Sequence, residues 1–229
     1  MSTEVLVTLL QLADGLFPAG GFAHSLGLET YVQDGRVRDG AGLEAFVVAQ
    51  LEGAAGPADA VAVAVAVRAA AAGERGAWMD LDARLEAMKT VPEFRAASRQ
   101  MGRQTARVAA ALGADDFVTA VAQAIDDGLA PGHHAAVFGA ALGRRGVEAE
   151  MAAAAYLYST AALLVGAGLR LLPVGQLEGQ TVLAAVRPRV VRLAALAATT
   201  AVEDMWSFTP AIELAGVRHA MLDMRLFRS

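Results

Sequence analysis

Apolar residues recur along most of the chain at three- and four-residue spacing, the period of helices that bury one face. Val5–Leu12 is the first such run, and Gly15-Leu-Phe-Pro18-Ala-Gly20-Gly21 breaks it. Phe22–Gln33 resumes the pattern and stops at Asp34-Gly35, a turn dipeptide. Leu43, Phe46, Val47, Gln50 and Leu51 share one helical face, and Pro57 stands where a first-turn proline opens the next helix. Thr90-Val-Pro92-Glu93 has the form of a capping box, predicting a helix to about Leu112 that ends at Gly113. Asp115–Ile125, His133–Leu142 and Val147–Leu172 predict three more, after which Pro173 and Gly175 punctuate. Pro188 reads as the start of Val190–Met205, and Thr209-Pro210 caps a last helix that runs nearly to Ser229. The expectation is an all-α, single-domain helical bundle of about ten helices over residues 1–229, without repeat or linker.

Two stretches are apolar enough to raise the question of a membrane. Met151–Leu169 carries no charge and is long enough to span a bilayer. It is mostly Ala and Gly, however, with Tyr156, Tyr158, Ser159 and Thr160 at its centre. Ala58–Ala72 contains Asp59 and Arg68. Both read as core helices of a large helical body, which are apolar all round for the same reason, and no membrane association is expected.

Composition strengthens the helical reading. The 229 residues include 53 alanines, and aromatics make up only 6%, a balance that favours helix over strand. Lys plus Arg number 19 against 24 Asp plus Glu, a net charge of −5, which argues against a general nucleic-acid binder. The absence of cysteine removes disulfides, thiol nucleophiles and cysteine metal sites. Met1-Ser-Thr-Glu4 lacks the basic start of a signal peptide, so the cytoplasm is the expected compartment.

Candidate chemistry is sparse. The only lysine, Lys89, follows Met88 and no glycine-rich stretch leads into it, so a P-loop nucleotidase is excluded. Glycines 20 and 21 serve either an anion at the following helix start or a close helix approach. His24, His133, His134 and His219 include no HExxH pair, and neighbours 133 and 134 point about 100° apart on a helix. Each reads more readily as a hydrogen-bonded structural residue than as a ligand. Two enzymatic readings can still be assembled: a Ser25-His24-Asp14 triad without a GxSxG elbow, and a metal-dependent hydrolase using His24, Asp14, Glu29 and His133 or His134. Arg95, Arg99, Arg103 and Arg107 form a stripe at four-residue spacing. It is either a solvated face with internal acidic partners or a dock for an acidic protein surface. Residues 218–229 keep Met221, Leu222, Met224, Leu226 and Phe227 beside Arg225 and Arg228. That makes them either a docking tail or a segment packed back on the core.

These residues carry a resemblance. Leu9-Leu-Gln11-Leu-Ala-Asp14-Gly-Leu-Phe-Pro18-Ala-Gly20-Gly-Phe22-Ala-His24-Ser25-Leu-Gly27-Leu-Glu29 resembles the N-terminal signature of the UreF family of urease accessory proteins. Further matches follow in order: Arg95-Ala-Ala-Ser98 with Gly102, Leu169-Arg170-Leu-Leu-Pro173-Val-Gly175-Gln176 with Gln180, and Arg225-Leu-Phe227-Arg-Ser229. One departure is Ala220, where the family often has an acidic residue after the histidine matching His219. The resemblance implies an all-α homodimer that catalyses no small-molecule reaction and holds no cofactor. It implies binding to UreD (also called UreH), to the GTPase UreG and to apo-urease during nickel insertion, with the GTP cycle coupled to metal release. An arginine finger that activates UreG is compatible with this. The partner-binding residues so implied are Phe22, His24, Ser25, Glu29, Arg95, Arg99, Arg170, Gln176, His219, Arg225 and Phe227.

Overall fold

A computed structural model describes residues 1–113 and 115–229. Ten helices are found among them, and no strand. In chain order they are α1 (Thr3–Ala13), α2 (Leu28–Gln33), α3 (Gly40–Ala72), α4 (Arg75–Met88), α5 (Pro92–Leu112), α6 (Asp116–Asp126), α7 (His134–Gly143), α8 (Ala149–Leu171), α9 (Gln176–Thr199) and α10 (Pro210–His219). Side-chain caps start three of them. Ser2 accepts from Val5 N–H, Asp39 from Gly42 N–H, and Asp115 from the N–H groups of Phe117 and Val118, satisfying donors that a helix start leaves free.

Helix α7 is the centre. Every residue from Ala135 to Gly143 is buried, and α3, α5 and α8 pack around it. Small residues permit this. A Cβ on Gly139 would come within 2.8 Å of Ala66 Cβ, and one on Gly143 within 2.5 Å of the Val67 carbonyl oxygen, so α3 and α7 meet backbone to backbone. Gly139→Ala should therefore cost about 1–3 kcal/mol through overpacking, read as a lower urea midpoint at unchanged slope; an unchanged midpoint would refute the close approach. The two long apolar helices, α3 and α8, are claimed by this core: Val61–Ala64, Leu157, Ala161 and Leu164 are all fully or almost fully buried.

The last helix stops at His219 rather than running nearly to Ser229, and three further local expectations need correction. Pro57 does not open a helix. It lies within α3, in a π-helical stretch, Leu51–Ala60, where the wider turn accommodates the ring. Within that stretch the Gly53 carbonyl accepts from Phe208 N–H at 2.8 Å, and the Pro57 carbonyl accepts from Trp206 N–H at 3.3 Å. Pro188 likewise lies inside α9, which begins at Gln176 and ends at Thr199; Pro188 and Ala184, whose carbonyl it leaves free, face solvent. The third correction is at α5, whose N-cap is Val91 without a side-chain bond. Pro92 at the first position removes one donor in need of a cap, and Glu93 is engaged elsewhere.

Candidate functional site

The N-terminal signature is not a helix from Phe22 onward. It is a 3₁₀ turn, Gly21–Ala23, followed by an irregular link into α2. The chain takes left-handed conformations at Gly20 (φ 87°), Leu26 (φ 50°) and Gly27 (φ 90°). The first and last suit glycine, whereas at Leu26 the conformation is strained for a side-chain-bearing residue. What holds it is the far end of the chain. The Ser229 carbonyl oxygen accepts from Ser25 N–H (2.6 Å), Leu26 N–H (3.1 Å) and Ser25 Oγ (2.8 Å). Arg228 N–H returns a bond to the Ala23 carbonyl at 2.9 Å.

Residues 220–229 thus pack back onto the signature segment, and buried Glu29 is the hinge of the arrangement. Its Oε1 accepts from Leu226 N–H at 2.6 Å and its Oε2 from Phe227 N–H at 3.1 Å. Oε2 also pairs with His219 Nε2 at 2.9 Å, while His219 Nδ1 pairs with Glu93 Oε2 at 2.7 Å. Glu93 completes the chain by accepting from Arg225 at 3.1 Å. His219 therefore finds its carboxylates at positions 29 and 93, and Ala220 costs it nothing. Beside this network Arg170 donates to the Phe22 carbonyl at 2.8 Å. Its guanidinium lies 4.0 Å from the Phe22 ring centroid and 4.2 Å from that of Phe227, a cation–π sandwich. Phe227 is buried, but Phe22 is 76% exposed.

His24 Nδ1 lies 2.9 Å from Ser229 Oγ, and its buried Nε2 has no partner among the described residues. Burial, and then the charge of Arg228, push this histidine from its usual 6.5 to about 4, so the ring is neutral near pH 7.

Eight of the expected residues meet here: Phe22, His24, Ser25, Glu29, Arg170, His219, Arg225 and Phe227. His24, Ser25, Glu29, His219 and Phe227 are buried, leaving Phe22, Arg170 and Arg225 to face solvent. Arg95 and Arg99 belong to a second cluster, 3.8 and 3.5 Å from Glu86. Glu86 also pairs with His133 Nε2 at 2.9 Å. Arg107 pairs with Asp126, whereas exposed Arg103 makes no ion pair among the described residues. The stripe is thus largely served by internal acids. Gln176 stands apart, exposed at the first turn of α9. Sequence reading missed Asp82, Glu86 and Glu93. Asp82 is fully buried and accepts from Gly132 and His133 N–H groups, both at 2.7 Å, at the start of α7. Burial dominates its pKa and lifts it to about 6. The i, i+4 pair of acids on α4 was the available signal.

The hydrolase reading fails on geometry. Asp14 is exposed and accepts from Leu16 N–H, His24 faces Ser229, Glu29 serves the tail, and His133 and His134 point to different neighbours. No cluster of three metal-ligating groups occurs among the described residues, and the Ser25-His24-Asp14 triad is not assembled, because both Ser25 and His24 are turned to Ser229.

The chain is thus a helical protein whose candidate side chains pair with one another and with backbone groups to brace a surface. A family model described as UreF matches residues 37–187. The chain is 30% identical over 224 residues to a urease accessory protein UreF of Bacillus sp. (strain TB-90), covering 98% of this chain and 99% of that one. It is 33% identical over 227 residues to the UreF of Jannaschia sp. (strain CCS1), covering 99% and 96%. The chain belongs to the UreF family of urease accessory proteins.

Proposed function

We propose that this chain is the adaptor of a urease maturation complex in the cytoplasm. As a homodimer it binds UreD (UreH) and recruits the GTPase UreG to apo-urease, coupling GTP hydrolysis to nickel delivery. One observation supports this most: exposed Phe22, Arg170 and Arg225 stand beside the buried Glu29–His219 pair, Arg170 between the Phe22 and Phe227 rings and Arg225 on Glu93. Exposed aromatic and arginine side chains on a rigid support are the typical makings of a binding hot spot. In this reading the buried members position the surface, and Met221, Met224 and Leu226, all exposed, extend it. Residues 218–229 are then a docking element that is built into the fold.

Arg225→Ala tests it. The Arg225–Glu93 pair is partly exposed, so its loss should change stability by no more than about 1 kcal/mol. A tagged wild-type chain co-expressed with its urease operon should capture a UreD-like protein and a P-loop GTPase. The variant should keep the dimer and the UreD-like partner and lose the GTPase. Wild-type capture of the GTPase by the variant would sink the assignment of Arg225, and a wild-type chain that captures neither protein would sink the adaptor reading itself.

A further inference from the structure

The arginine stripe of α5 has counter-charges but few hydrogen bonds. No Asp or Glu stands between Glu93 and Asp115, so beyond its first turn the helix supplies its arginines with no acid of its own. Arg107 holds Asp126 at 3.0 Å. Arg95 Nε and Arg99 Nη1 instead share a single oxygen, Glu86 Oε1, at 3.8 and 3.5 Å, separations too long for good hydrogen bonds. The other Glu86 oxygen is committed to His133. Asp82, the other acid near Arg99, is fully buried, and its two oxygens accept from the Gly132 and His133 N–H groups. Arg103, one turn further on, is exposed and has no acid within ion-pair distance among the described residues.

A guanidinium carries its N–H donors in a planar fork that matches a carboxylate two bonds at a time. The forks of Arg95, Arg99 and Arg103 make no hydrogen bond to another described residue, and the side chains of the first two are 37% and 48% exposed. Consecutive members stand four residues apart, hence about 6 Å along the helix axis and about 40° around it. Exposed Ala96 and Gln100 run beside them and add no charge. The chain as a whole carries −5, so this face is positive against the general sign.

We propose that this face of α5 docks an acidic helix of a partner protein, one that presents carboxylates at four-residue spacing. Such a helix repeats its carboxylates at the same step of about 6 Å, and rows of that spacing on two helices interdigitate. Each carboxylate then takes both N–H groups of one fork, a charge-assisted pairing that gives register as well as attraction. A nucleic acid would meet the same forks, but the chain's net negative charge opposes the long-range attraction on which such binding depends.

The probe is an alanine-based helical peptide of about fifteen residues with glutamate at every fourth position. Titrated into the full chain at low salt and followed by NMR, it should give saturable shifts at Arg95, Arg99 and Arg103 with a millimolar or tighter Kd, weakening as salt is raised. Arg99→Gln combined with Arg103→Gln should lower affinity at least tenfold, whereas Arg187→Gln, at an exposed position of α9, should leave it unchanged. Arg103→Gln alone, which breaks no internal ion pair, should lower it several-fold and stands in if the double variant does not fold. A peptide of the same composition with its glutamates adjacent should bind more weakly. Shifts that do not saturate, equal affinity in the wild type and a folded variant at 99 or 103, an equal fall from Arg187→Gln, or equal binding of the two peptides would overturn the proposal. So would duplex DNA that binds more tightly than the peptide through Arg99 and Arg103, which would make this a nucleic-acid surface.

Discussion

Glu29→Ala is expected to detach residues 220–229 from the body and to cost about 3–5 kcal/mol, the range for breaking a buried ion pair from one side. The carboxylate serves three groups at once: Leu226 N–H, Phe227 N–H and His219 Nε2. Alanine leaves all three without an acceptor, while His219 stays buried against Glu93 alone. Phe227 then loses its anchor and Arg170 one face of its sandwich. Glu29→Gln, which retains one carbonyl oxygen, should lose about 1–3 kcal/mol. The measurement pairs urea melts with limited trypsin digestion, since Arg225 and Arg228 lie in the detached segment. Faster cleavage there, ahead of any cut in α7, is the expected result. A wild-type melt and digestion pattern for Glu29→Ala would show that the tail is held by other means.

Acidification should have a comparable effect through different groups. His24, His133 and His134 are each pushed by burial from 6.5 to about 4. Between those pH values the unfolded chain binds their protons and the folded chain does not, so stability falls as pH drops below 6.5. Asp82 acts in the opposite sense. Its pKa rises from 3.8 to about 6, so the folded state holds that proton more tightly and gains stability as pH falls through 6. Three groups oppose one, and the net slope is at most about 3 kcal/mol per pH unit between 6 and 4. Thermal melts at pH 7, 6 and 5 and constant ionic strength should show Tm dropping steeply, with the first losses between 6.5 and 6. A flat Tm would mean that the histidine sites admit water or protons without unfolding. Asp82→Asn should steepen the fall below pH 6, because it removes the one opposing group.

The helical class and most element positions were legible because apolar spacing and alanine content report burial on a helix directly. The prolines misled. Pro57 and Pro188 carry the same local signal as a helix start, and what makes them tolerable is not visible in it: a wider π-helical turn holds Pro57, and solvent takes up the carbonyl of Ala184. Phe22–Gln33 reads as helix because its apolar spacing is helical; the irregular link is imposed by bonds to Ser229, more than 200 residues away. The candidate site was legible only as a set of motifs. Nothing local to His219 indicates that Glu29 and Glu93 flank it, and a pattern of single residues cannot distinguish a side chain that meets a partner from one that props up its neighbour.

The bonds between Ser25 and Ser229 close a loop of nearly the entire chain. Closing so long a loop carries an entropic cost that local contacts do not offset, so this junction forms only after the helices between its halves have packed. A partner that touches Phe22 and Arg225 together is consequently blind to unfinished chains. Molecules with a misassembled core, or with α10 not yet seated, present the two halves separately and offer it no composite surface. Recognition at this junction, as proposed above, would therefore double as proofreading of the fold.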